Sequence, residues 1–216
     1  MNNTWVSADF HLGHKNIVLG VSKYENKSFC RNFQTLEEHD STIINTINKY
    51  VKENDTLYCL GDFSLGGREN LKKYRELIQC RNIHLCIGNH DIFVEKNHQF
   101  KDGTWSWELF KSIQHRIHKR IGKNYFIMDH YAMRAWDNGS NGSIMLHGDA
   151  HGSLKPYERL LQIADDPFLY KTDDFYKQMD VGIDVAYSIY KEYRPFHINE
   201  IKEIMKNRIN LNVDHH

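Results

Sequence analysis

No stretch of this 216-residue chain is apolar over the roughly 20 residues a helix needs to cross a bilayer. The first residues, MNNTWVSADF, carry neither the basic start nor the apolar middle of a secretory leader, so a soluble, cytoplasmic protein is expected. No Pro/Gly/Ser-rich linker, repeat or low-complexity tract divides the chain. Residues 1–216 are therefore expected to fold as a single domain with a full-sized core. Cysteine is scarce: Cys30, Cys59, Cys80 and Cys86 form no CxxC pair, and two of them sit in apolar runs, which predicts reduced thiols rather than disulfides. An excess charge of either sign is also missing. Lys plus Arg and Asp plus Glu number 28 each, so no global field draws in nucleic acid, and an anionic substrate must be attracted locally. Metal ions would do that.

Short apolar runs that end in polar residues are what the chain does have. Thr4 to Ala8 reads as a strand, followed by Asp9 and His11. Thr35 with Glu38 makes a capping box ahead of Ile43, Ile44, Ile47, Tyr50 and Val51 at helical spacing. Thr56 to Leu60 is a strand ending at Gly61-Asp62, Asn70 to Gln79 a helix, and Asn82 to Ile87 a strand ending at Gly88-Asn89-His90-Asp91. This βαβ alternation implies parallel pairing. Ile117 to Ile121 and Tyr125 to Met128, split by Gly122-Lys123-Asn124, predict an antiparallel hairpin that leads to His130. Ile144 to Leu146 leads into His147, Asp149 and His151; Met179 to Val185 is a further strand candidate, and Ile198 to Met205 an amphipathic helix. The expected fold is α/β: two mixed β-sheets packed face to face, with helices outside.

Five apolar runs thus end in carboxylate, amide or imidazole groups, a mixture that suits two adjacent divalent cations better than one zinc. Taken singly, each ending has a plain reading as a capping turn or loop entry. Their order gives them weight. Asp9-Phe10-His11, Gly61-Asp62, Gly88-Asn89-His90-Asp91, His130 and His147-Gly148-Asp149-Ala150-His151 resemble the calcineurin-like metallophosphoesterases, whose motifs run DxH, GD, GNH[DE], H and GHxH. Met179 to Asp184, and His130-Tyr131 followed by Trp136, resemble small bacterial and phage members.

The resemblance implies a four-layer sandwich and a hydrolase of phosphomonoesters or phosphodiesters. Two cations would lower the pKa of a water shared between them, and that hydroxide would attack phosphorus. Asp9, His11 and His151 are expected at the first cation, Asn89, His130 and Asp149 at the second, with Asp62 bridging. His90 is expected to protonate the leaving oxygen, with Asp91 orienting its ring. The cations would be manganese, iron, zinc or nickel. One departure is plain: Asp149 stands where the family has the first GHxH histidine, and His147 is the alternate ligand.

His14, Arg134, Trp136 and Asn138 are expected to border the substrate, a phosphorylated small molecule or nucleotide. Nucleic acid is left open. Arg116, His118, Lys119, Arg120 and Lys123 form a basic cluster that reads more simply as a charged sheet edge, and Trp105, Trp107 and Phe110 as packing. Two rivals stand beside this reading: an inactive scaffold with a weakened second site, and a single-zinc hydrolase using His147 and His151. His215 and His216, where an expression tag would begin, are set aside.

Overall fold

The computed structural model describes residues 2–96, 98–154 and 176–210. The first sheet contains β1 (Thr4–Ser7), β2 (Thr56–Cys59), β3 (Asn82–Cys86), β4 (Ser112–Gln114) and β9 (Phe196–His197). Its order is β4-β3-β2-β1-β9, with β1 to β4 parallel and β9 antiparallel to β1. The second sheet runs β5 (Arg116–Ile121), β6 (Asn124–Asp129), β7 (Ile144–His147), β8 (Gln178–Asp180). There β5 and β6 form the expected antiparallel hairpin, and β6 to β8 are parallel. Two mixed sheets with flanking helices are the architecture expected from the residue pattern.

Strand alternation sorts the core. Leu57, Cys59, Ile83 and Leu85 point to one face of the first sheet, where α1 (Leu36–Tyr50) and α2 (Arg68–Leu77) bring Ile43, Ile47 and Leu71. Val6, Tyr58, Leu60 and Cys86 point to the other, against Phe126, Met128, Ile144 and Leu146 of the second sheet. With both faces covered, β1 to β3 need nearly continuous apolar sequence. Ile201 and Met205 of α5 (Ile198–Met205) join this inter-sheet core.

The α1 cap forms with a shift. Thr35 accepts the Glu38 N–H at 3.1 Å, while the Glu38 carboxylate accepts from Gln34 N, one residue earlier than a standard box.

Met179 to Val185 is corrected. Only β8, ending at Asp180, is strand, and α4 (Ile183–Tyr190) begins directly after Gly182. The Asp180 carboxylate accepts the Gly182 N–H at 2.8 Å and turns the chain, after which Ile183 and Ala186 are buried at helical spacing. A short apolar run carries too little periodicity to separate these outcomes. Strands β4 and β9 gave no signal, being only three and two residues long. Most of Ser153 to Lys177 lies outside the described residues.

Arg116, His118, Lys119 and Arg120 of the basic cluster lie on β5, the edge of its sheet, and Lys123 in the turn that follows. Arg116 pairs with Asp129 at 2.9 Å, and the Arg120 guanidinium sits over the Tyr125 ring. Phe110 is buried, but Trp105 and Trp107 are exposed. Cys59, Cys80 and Cys86 are buried free thiols. Among the described residues no helix is long and apolar enough to cross a membrane.

Asp55 closes the end of the first sheet by accepting from Asn3 N, Lys52 N and the Trp5 indole. Burial works to raise its carboxyl, but these donors bring it below the ordinary 3.8. A depressed carboxyl adds stability that is present above its unfolded pKa and lost as pH falls through the folded value. Asp55→Asn is therefore expected to lower Tm at neutral pH and to flatten the fall in Tm below about pH 4. Thermal melts across the acid range would check this.

Candidate metal centre

Because β1, β2 and β3 are parallel neighbours, their C-terminal ends present Asp9, Asp62 and Asn89 along one edge. Strands β6 and β7 present His130, Asp149 and His151 at the same edge of the second sheet. The loops are joined by backbone bonds beyond the strands: Asp9 N to Gly61 O at 3.0 Å, His11 N to Asp62 O at 2.9 Å and Gly148 N to His130 O at 2.9 Å.

Asp62 lies between two groups of donors. Its Oδ2 is 3.5 Å from His11 Nε2, which is itself 3.3 Å from His151 Nε2. Asp9, His11 and His151 bring ligand atoms within 4.8 Å of one another. On the other side, Asp62 Oδ1 is 3.5 Å from His130 Nε2, and that nitrogen is 2.9 Å from Asn89 Oδ1 and 3.6 Å from Asp149 Oδ1. Asp9 Oδ2 is buried with no hydrogen-bond partner, a costly state for a carboxylate that a cation would relieve. The donor set of imidazole, carboxylate and amide fits divalent transition metals.

The backbone is strained where the donors sit. Of the seven non-glycine residues described with positive φ, five are Asp9, His11, Asp62, Asp149 and His151, at 60°, 51°, 55°, 63° and 49°. Each such residue costs about 1–3 kcal/mol unless its surroundings hold it, and such strain collects at functional sites. Two glycines give the carboxylates room. A Cβ on Gly88 would stand 2.3 Å from Asp62 Oδ1, and one on Gly182 would stand 2.7 Å from Asp9 Oδ2.

Behind the first donor group lies a buried network that residue spacing did not reveal. Arg31, 3% exposed, donates to the Asp9 and Phe10 carbonyls at 2.6 and 3.0 Å and forks onto the Asp184 carboxylate at 2.8 and 3.0 Å. Asp184 accepts from His151 Nδ1 at 2.7 Å, which turns Nε2 toward His11. His39 lies 2.9 Å from Arg31 and 2.8 Å from Asp40, and Asp40 also accepts from Gly13 N and the Tyr74 hydroxyl. Asp180 takes the Gly152 and Gly182 N–H groups, both at 2.8 Å. Asp180 and Asp184 lie in the MDVGID segment, where residue type alone distinguished no role. Arg31 stands in a loop without periodicity, and nothing local marked it.

Burial governs the charges. It pushes the Asp9 carboxyl up to about 7 and the His11 imidazole well below its usual value. Positive charge would relieve the Asp9 carboxylate, while burial favours the neutral His11 ring, the form that can offer a nitrogen to a cation. Burial opposes the His151 cation, but the bond to Asp184 and the charge of Asp9 carry its pKa above the ordinary value. For Asp184, burial is outweighed by Arg31 and His151, which hold it well below the carboxylate range.

The remaining sequence candidates divide. His90 has its side chain 37% exposed, with Nε2 4.0 Å from Asp62 Oδ2 and its ring against His11 and His14. His14 belongs to the same group, its Nδ1 3.2 Å from that of His11, and burial lowers its pKa to about 4. Asp91 is corrected: instead of orienting His90, it accepts from Asp62 N, Phe63 N and Gly88 N at 2.8, 3.0 and 2.9 Å, stapling two strand ends together. Burial raises it to about 7. Trp136 packs with Ile127 and Met145 on the outer face of the second sheet and donates to Ser143 O, which makes it core rather than cleft. Asn138 shapes the same loop at φ 56°, accepting from Ser143 N, and Arg134 is exposed there. His147 is 1% exposed, with Nδ1 3.0 Å from Gly148 O, whereas Asp149 is the one beside His130.

Two groups of candidate ligands facing one carboxylate at the joined ends of two sheets form a site that could hold two divalent cations. The chain belongs to the calcineurin-like phosphoesterase family, whose family model matches residues 3–208. It is 37% identical over 98 residues to an uncharacterized protein of Methanocaldococcus jannaschii, a match covering 44% of this chain and 51% of that one. The chain thus spans about half of that relative's length. It is 25% identical over 175 residues to the gene 66 protein of Mycobacterium phage L5, covering 71% and 80% of the two chains. A protein of unknown function from Aquifex aeolicus shares the fold, with a TM-score of 0.57 over 94% of this chain and 100% of that one, at 18% identity.

Proposed function

We propose that the chain hydrolyses phosphomonoesters or phosphodiesters of small molecules or nucleotides with two divalent cations. The observation that carries this reading is the placement of Asp62, whose two carboxylate oxygens face separate donor groups, each 3.5 Å from a histidine nitrogen. Asp9, His11, His151 and Asp62 would hold one cation; Asn89, His130, Asp149 and Asp62 would hold the other. When bound, two such ions supply an acidified water and neutralise charge building on phosphate oxygens. The chain's own part is to place groups around phosphorus. His90, half-exposed at the rim, has the position to give a proton to the departing oxygen, and the Asp91 staple keeps the loop bearing it beside Asp62. The buried free thiols suit a reducing compartment.

Metal-stripped protein reconstituted with manganese, nickel, zinc or iron should bind two cations per chain and cleave bis-p-nitrophenyl or mono-p-nitrophenyl phosphate. No turnover with any metal, together with one cation or none by elemental analysis, would leave the scaffold reading. Asp149 tests the second group separately. Asp149→Ala is expected to lower second-cation occupancy, and Asp149→His to change metal preference. Equal occupancy and rate in Asp149→Ala, with loss in His147→Ala, would transfer the role to His147.

A further inference from the structure

Beside His90 the surface falls into a recess of about 210 Å³, lined by Leu65, Gly66, Asn89, His90, Ile92 and Phe93. Loop residues after β2 form one wall. The start of α3 (Ile92–Glu95), directly after the Gly88-Asn89-His90-Asp91 turn, forms the other. The Phe93 ring is anchored against the helix-side core, and Ile92 is 43% exposed. Apart from His90, no described lining side chain ionises.

The recess is continuous with the reacting centre through two shared residues. Asn89 lies 2.9 Å from His130 Nε2 within the second donor group, and His90 is the proposed acid. A group seated past His90 is therefore on the side from which the leaving oxygen departs.

We propose that this recess binds the leaving-group side of the phosphoester, and that the group it fits is a flat, uncharged ring, aryl or nucleobase. This rests on the two-cation phosphoesterase reading. Three observations select the occupant. Leu65, Ile92 and Phe93 make the walls largely apolar, and the ionising side chain of the lining, His90, is engaged at the leaving oxygen, so a second phosphate would lose its water without gaining a cationic partner of its own. The volume is below the ~300–1,000 Å³ that encloses a drug-sized ligand, so a single ring system is accommodated. The exposed Ile92 and the Phe93 ring, both on the α3 wall, offer an apolar surface against which a planar group can lie.

The test uses manganese-loaded protein and two ligand pairs differing by a ring: phenylphosphonate against methylphosphonate, and uridine 5′-phosphate against ribose 5-phosphate. Affinities come from calorimetry for the phosphonates and from displacement of phenylphosphonate for the sugar phosphates. The ring-bearing member should bind about tenfold tighter, and Ile92→Ser, at an exposed position, should bring that ratio close to one. Phe93→Leu, which removes the ring but leaves an apolar side chain against the core, should lower it as well. A preference in only the phosphonate pair assigns an aryl group, and in only the sugar pair a nucleobase. Equal affinities within both pairs, or ratios that neither variant moves, would overturn the recess. Hydrolysis of bis- and mono-p-nitrophenyl phosphate with manganese, nickel, zinc and iron, measured alongside with the cation count, separates the outcomes: a ring preference with no turnover by any metal and fewer than two cations sinks the phosphoesterase reading and leaves ring binding, and turnover without preference sinks the recess alone.

Discussion

Asp62→Asn is expected to bind less than one cation per chain and to lose at least about 10³-fold in hydrolysis, since several kcal/mol of charge stabilisation depend on both ions. The two carboxylate oxygens of Asp62 face the two donor groups, each 3.5 Å from a histidine nitrogen. Substituting an amide keeps an acceptor for the His90 N–H, now made by Asp62 Oδ1 at 2.9 Å, so the turn should hold. What changes is charge: the carboxylate that would sit between two cations becomes neutral. Elemental analysis together with circular dichroism checks the claim. Full occupancy of both sites in a folded variant would show that Asp62 does not bridge.

Arg31→Ala should have the largest effect on the fold, about 3–5 kcal/mol, or roughly 10 °C in Tm. The guanidinium is buried and uses both faces of its fork: carbonyls of Asp9 and Phe10 on one side, the Asp184 carboxylate on the other. Removing it strands the partly buried Asp184 carboxylate and two buried acceptors, and frees Asp9 from its left-handed conformation. Arg31→Lys should rescue little, because an ammonium cannot reproduce the fork. Asp184→Ala separates positioning from stability: with the His151 tautomer no longer held, affinity for the first cation should fall about 10–100-fold. Denaturation of metal-free protein and metal titration of each variant provide the two readouts. Wild-type metal affinity in Asp184→Ala would limit the network to a structural role.

Residue type and spacing were enough to place the strands β1, β2, β3, β5, β6 and β7, the helices α1, α2 and α5, and the donors that follow strand ends. Those features are local: hydrophobic period, capping side chains and polar termini are written within a few residues of one another. Met179 to Val185 shows the limit, since whether it continues as strand or turns into helix depended on the Asp180 bond to Gly182 and on the burial of Ile183 and Ala186.

The choice of Asp149 over His147 as the group beside His130 was likewise tertiary. Alternation along β7 sends His147 to one side of the sheet, while a left-handed turn aims Asp149 back at the cluster. Asp91 kept its place in the motif but changed its work, because three backbone N–H groups converge on it from two strand ends. The Arg31, His39, Asp40 and Asp184 network joins residues up to 153 positions apart and could not be read from spacing. Donor identity is thus a property of the chain, whereas the left-handed backbone, the shared carboxylate and the buried guanidinium that hold those donors exist only once distant segments pack, because each is costly alone and is stabilised only by its neighbours.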